Sequence, residues 1–217
     1  MRTTPAEKTR DYRARGWWGD TRIHDMFDAN ARANPDRLAI VDAPNRADLV
    51  GTPPQRLSFA AAAALVDGYA LSLARLGLGK DDVLVTQLPN IAEYPALYVA
   101  AMRLGIIVSP VPMQFRRHEL EQIVRLTNAK AILTIDQLKG VDQIGIALTL
   151  SADLSKEALT LQVLSLRSAT ATTETPPGAI AFDAAAIDAQ SIAELRSAID
   201  TAAVDADDIA TICWTSG

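Results

Sequence analysis

From Val83 to Ile135 the chain changes period four times, and that alternation restricts its fold more than any other feature. A β-rich run (Val83–Leu88) is followed by a helical segment, "NIAEYPALYVAAMRLG", closed by Gly105. A short strand (Ile106–Val108) leads into "RRHELEQIVRLTN", where Leu120, Ile123, Val124 and Thr127 share one helical face, and then "AKAILTI" reads as a strand again. Strands separated by helices of about ten or more residues cannot pair as hairpins. They pair in parallel through crossovers, and the sheet they form is covered on both faces. The fold class expected is therefore α/β, a doubly wound, mainly parallel sheet with helices on both faces.

The flanking segments extend this pattern. Upstream, Ile23, Met26, Phe27 and Ala31 fall at helical spacing, Pro35 ends that helix, and Leu38–Val41 reads as a strand. A long helix is expected from Ser58, a suitable N-cap, with Ala62, Val66, Tyr69, Leu73 and Leu76 as its apolar stripe and Gly77 just past its end. Downstream, "IGIALTL" (144–150), "LQVLSL" and "GAIAF" are expected strands, "SIAELRSAID" a helix, and "DIATICW" (208–214) the last strand. The stretch 167–178, rich in small polar residues and Pro, reads as a surface loop. This divides the chain into an N-terminal arm (1–22), an α/β subdomain (23–204) and a closing strand with a polar turn (205–217). The paired Trp17 and Trp18 of the arm are expected to dock on the domain or a neighbour.

Charge and cysteine content narrow the function. Asp and Glu outnumber Lys and Arg by 26 to 21, a net charge of −5, which disfavours a sequence-independent grip on nucleic acid or on an anionic membrane. No apolar stretch approaches the roughly 20 residues a spanning helix needs. Cys213 is the only cysteine, which rules out an intrachain disulfide and fits a reducing cytoplasm. Within an apolar strand it is expected to be buried and inert rather than a nucleophile. The two histidines, His24 and His118, have no metal-ligand spacing, so no metal site is expected.

Three stretches carry possible chemistry. In "LPNIAEY", Asn90 and Glu93 are placed to cap a helix reciprocally, although strand C-termini are also where open α/β sheets bind ligands. Arg116, Arg117 and His118 open a helix and are either a solvated helix start or a contact for phosphate. At the end of the chain, "WTSG" offers backbone N–H groups and hydroxyls of the kind that surround phosphate, though three such residues also make an ordinary turn.

The order of the pieces adds more than any one of them. The "LSF" that opens the long helix, "DDVLVTQLPN", "AAMRLGIIVSPVP", "AKAILT" and "ICWTSG" together resemble the N-terminal region of the adenylate-forming superfamily, which comprises acyl- and aryl-CoA synthetases, nonribosomal adenylation domains and firefly luciferase. The resemblance runs from about His24 to Gly217, and it implies that 205–217 are the first strand and the start of the phosphate loop of a truncated second subdomain. It implies that Thr215, Ser216 and Gly217 open the loop that holds the ATP phosphates. The parent enzyme would use ATP, Mg²⁺ and coenzyme A to turn a carboxylic acid into an acyl-adenylate and then a thioester. The loop lysine, adenine-gripping residues, metal-binding acid and catalytic lysine of that family would all lie beyond residue 217. The chain by itself is thus expected to be an inactive front portion, with no catalytic residue of its own, and to associate with itself through uncovered apolar surface. "WWGD" is similar to the lead-in of members acting on aryl acids, whereas Ala60–Ala64 departs from the family, which carries an acid near that helix start. A complete, non-catalytic α/β binding module is the alternative from another class, and an aryl acid–AMP ligase the alternative within the family.

Overall fold

The computed structural model describes residues 3–166 and 174–215. Helices α1 (Ala6–Ala14) and α2 (Ile23–Ala33) come first, then β1 (Leu38–Val41), the short α3 (Arg46–Val50) and β2 (Arg56–Ser58). Next are α4 (Phe59–Arg75), β3 (Val83–Gln87), α5 (Glu93–Arg103), β4 (Ile107–Pro110), α6 (Arg117–Thr127) and β5 (Ala131–Thr134). Two very short strands, β6 (Gln137–Leu138) and β7 (Val141–Asp142), precede α7 (Gln143–Ser155), β8 (Gln162–Leu166), β9 (Ala179–Phe182) and α8 (Ala189–Ala202).

Five strands form one sheet in the order β4-β3-β5-β8-β9, and every neighbouring pair is parallel. Its side chains alternate between two apolar layers, as a period of two demands. Leu84, Val108, Leu133 and Leu164 point into one layer with residues of α4, α5 and α8. Val85, Ile107, Ile132 and Val163 point into the other with residues of α6 and α7. Burial of each such aliphatic side chain contributes about 1.5–3 kcal/mol. The doubly wound parallel sheet with both faces covered is therefore present.

Local signals set most boundaries. Ser58 caps α4 by accepting a hydrogen bond from the Ala61 amide at 3.2 Å, and Gly77 follows that helix at φ 75°. Within α4, Gly68 is where the loop after β9 crosses. A Cβ there would stand 2.7 Å from the Ala184 Cβ and 2.8 Å from the Ala185 carbonyl oxygen. Trp17 and Trp18 fold back on Tyr12 of α1, with ring centroids 5.6 and 5.1 Å away, and Trp17 remains 65% exposed.

Two expected strands are corrected. Residues 144–150 lie inside α7. Asp142 accepts from the Gly145 amide at 2.8 Å and nucleates the helix, while Ile144, Ala147, Leu150 and Leu154 turn inward at helical spacing. A short apolar run fits either period, and here the cap decided. Residues 208–214 do not make a full strand either. Thr211 alone pairs with Val108, in parallel, beyond the edge of β4. The expected loop at 167–178 lies partly outside the described residues.

Candidate functional site

The chain builds β3, crosses to one side for β4, and then returns past β3 to lay down β5. The order reverses between β3 and β5, and the crevice at the carboxyl ends of such strands is where open α/β sheets hold ligands. Two clefts open there. The first, about 390 Å³, lies among the turns that follow β3, β4 and β5. The second, about 440 Å³, lies between β1 and the start of α5, and Ala43 and Asn90 form a wall common to both.

A buried charge network fixes that wall. Arg46, 4% exposed, reaches both oxygens of Glu93 at 2.7 and 2.6 Å and the Asp42 carboxylate at 2.9 Å. Asp42 in turn accepts from the Ala92 amide at 2.7 Å and the Gln55 amide at 2.9 Å. Glu93 therefore does not answer Asn90 in a capping box, as the sequence suggests. α5 starts at Glu93 with Ala92 before it, and Asn90 is left exposed at the cleft rim. An arginine 47 residues upstream outcompeted the local cap, because a bidentate charged pair is the stronger bond.

The turn after β4 is held from below. The Gln87 amide nitrogen donates to the carbonyls of Pro112 (3.1 Å) and Phe115 (3.0 Å), and that of Gln143 donates to Met113 at 3.2 Å. Arg116 Nη1 donates to the Met113 and Phe115 carbonyls, and the Arg116 amide donates to Glu119, whose carboxyl is held below its ordinary range by backbone N–H groups. Of the three basic residues singled out, only Arg116 lines a cleft. Arg117 pairs with Asp153 at 2.8 Å, and His118 meets Gln122 on the solvent side of α6. The far wall is the β6–β7 hairpin, whose turn residues Lys139 and Gly140 have φ of 50° and 78°, the sign pattern of a type I′ turn. Lys-Gly between Leu138 and Val141 was the available sequence signal.

Residues 210–212 run beside β4. The Val108 amide donates to the Ala210 carbonyl at 3.1 Å, the Ile212 amide donates to the Val108 carbonyl at 3.0 Å, and the Trp214 indole donates to the Ser109 hydroxyl at 2.8 Å. The parallel direction carries Thr215, which is exposed, toward the ligand-binding end of the sheet. Ser216 and Gly217 lie outside the described residues. Cys213 is exposed, not buried, since a segment with one pairing at a sheet edge has no second covering layer. Burial raises the Tyr94 hydroxyl, which pairs with Thr86 at 2.7 Å, to about 12, so it stays protonated. Among the described residues, no group of three His, Cys, Asp or Glu could hold a metal ion, and no helix is long and apolar enough to cross a membrane.

A family model described as AMP-binding enzyme matches residues 27–217. The chain belongs to this family. A salicyl-AMP ligase/salicyl-S-ArCP synthetase of Mycobacterium tuberculosis is 31% identical over 69% of the chain and 26% of that protein. A medium-chain fatty-acid–CoA ligase of Escherichia coli is 25% identical over 95% of the chain and 32% of the ligase. The apo structure of MbtA from Mycobacterium smegmatis superposes with a TM-score of 0.68 at 24% identity, covering 99% of the chain and 35% of that structure, which shows the shared fold. The chain thus spans about a quarter to a third of the length of these relatives. The relatives it matches are AMP and CoA ligases, in keeping with the N-terminal part of the adenylate-forming superfamily.

Proposed function

We propose that these residues are the N-terminal portion of an ATP-dependent acid–thiol ligase. The full enzyme activates a carboxylic acid as its acyl-adenylate and passes the acyl group to a thiol, with coenzyme A the acceptor. The parallel run of residues 210–212 along β4 carries this reading, because it sends Thr215 toward the ligand-binding end of the sheet. Thr215, Ser216 and Gly217 would begin a turn whose N–H and hydroxyl groups face the β- and γ-phosphates as pyrophosphate leaves. Donors fixed in advance at that point stabilise the charge that develops on the departing oxygens. ATP with Mg²⁺ supplies the electrophilic phosphorus when bound.

The 217 residues alone are proposed to be inactive, to sit in the cytoplasm, and to self-associate through apolar side chains left in solvent, such as Leu38, Val41 and Ile192. Light scattering should then show mass rising with concentration, and a strict monomer across a wide range contradicts it. Reading the gene past codon 217 tests the parent. A frame continuing as Thr-Thr-Gly-x-Pro-Lys-Gly supports the ligase, and a stop codon favours a non-catalytic binding module. Acid-dependent exchange of pyrophosphate into ATP should appear with the complete gene product and not with the 217-residue chain.

A second reading within the family, an aryl acid–AMP ligase, is favoured by the 31% identical salicyl-AMP ligase. Exchange driven by salicylate but not by medium-chain fatty acids would select it.

A further inference from the structure

We infer that Arg13 and Lys80 are positioning residues for the turn that Thr215 begins, acting through the acidic bend Asp205–Asp208 that leads into it. The inference rests on the reading of that turn as the one that holds phosphate. Between the end of α8 at Ala202 and the pairing of Thr211 with Val108, the chain forms neither helix nor strand. It bends on itself instead. The Asp205 amide donates to the Asp208 carboxylate at 2.8 Å, and the Asp207 amide donates to the Asp205 carboxylate at 3.0 Å. Three cations from separate parts of the sequence grip this bend. Arg13 reaches Asp207 at 3.0 Å and Asp205 at 3.5 Å. Lys80 reaches Asp208 at 2.7 Å and the Ala203 carbonyl at 2.9 Å, and Arg22 donates to the Val204 carbonyl at 3.4 Å.

Packing does not supply that grip. Helix α1 buries none of its residues, so what it brings to the bend is the charge of Arg13. A cavity of about 70 Å³, walled by His24, Ile106, Val204 and Ile209 among others, lies between the start of α2 and residues 204–210. The bend is therefore not pressed onto the core along its length. The Asp207 and Asp208 side chains are only 9% and 7% exposed. Removal of a cation leaves a largely buried carboxylate uncompensated, and the bend has to move to rehydrate it. Residues 210–214 follow directly and carry that movement along β4, where they bond to Val108 and Ser109. Donors arranged in advance around a departing pyrophosphate lose effect when displaced by about 1 Å.

Amide hydrogen exchange of the 217-residue chain, followed by mass spectrometry, tests the clamp. The Ile212 amide donates to the Val108 carbonyl and reports on the segment. In Arg13→Gln and Lys80→Gln the peptide containing it should exchange about threefold to tenfold faster, with peptides from β3 and β5 unchanged. Arg13→Lys should recover part of the protection, and Arg13→Gln combined with Asp207→Asn should be no faster than the faster single variant. Arg15→Gln, whose partner is Asp11 in the same helix, should behave as the unaltered chain does. In the complete gene product, Arg13→Gln should lower kcat/KM for ATP in pyrophosphate exchange about threefold to tenfold and leave KM for the acid unchanged. Unchanged exchange at Ile212, or an equal loss of protection in β3, would overturn the clamp. Lost protection with kcat/KM for ATP unaltered would overturn the positioning role. A complete gene product without pyrophosphate exchange overturns the phosphate reading and the positioning role with it, while the amide result, read without ATP, still decides the clamp.

Discussion

Arg46 and Glu93, 47 residues apart, form a two-pronged ion pair of 2.6 and 2.7 Å beneath the turn that ends β3. The pair ties α3 to the first residue of α5, and through Asp42 it also holds the Ala92 amide. The rim residue Asn90 is therefore placed by side chains from two distant parts of the sequence.

Loss of one member leaves the others buried with unpaired charge. Arg46→Met should destabilise the chain by about 3–5 kcal/mol in urea unfolding. Arg46→Lys should recover only part of that, because an ammonium cannot make the parallel pair. A loss below about 1 kcal/mol for Arg46→Met would show that the network carries little of the fold.

Gly68 is constrained by contact, not by its dihedral angles. Gly68→Ala should cost about 1–3 kcal/mol, since the new methyl meets the backbone and Cβ of residues 184–185 at 2.7–2.8 Å. The Gly68 carbonyl also accepts from the Ala185 amide at 3.1 Å, so the crossing segment cannot easily retreat. Urea midpoints of the two proteins measure the effect.

Ser58→Ala should cost about 1 kcal/mol by removing the side-chain acceptor for the Ala61 amide. The exposed Ala64, further along the same helix, serves as the control. Ala64→Glu should change the midpoint little, and an equal loss in both variants would mean that capping is not the cause.

Burial pushes His24 below its ordinary value of 6.5, and Arg22 adds to this while Asp25 and Asp28 oppose it. The unfolded chain therefore takes up the proton first, and stability is expected to fall as pH drops below about 6.5. His24→Gln should flatten that part of the profile. Asp25, hydrogen-bonded by Arg22, is held down at about 2 against 3.8, so its contribution is present above pH 4 and lost as pH falls toward 2. Melting temperatures from pH 8 to pH 2.5 resolve the two windows.

Cys213 should react with iodoacetamide in the folded chain nearly as fast as in urea, because it is exposed. Protection by more than about tenfold would mean that the segment beyond Thr211 is covered in solution.

Local pattern was sufficient for much of this. Val83–Leu88, "AKAILTI", "LQVLSL" and "GAIAF" all became parallel strands, because β-rich runs between long helical segments have few other ways to satisfy their backbones. Ser58 and Gly77 marked the ends of α4 by side-chain chemistry confined to one turn. Such signals act over a few residues and can be read in order.

The sequence by itself determined the doubly wound sheet and the caps of its longest helix. Only the tertiary structure decided that Glu93 turns to Arg46 and that Arg116, Lys139 and Gln143 enclose one cleft. Each of those outcomes is a competition between a local bond and a distant one, and a linear pattern does not contain the distant partner.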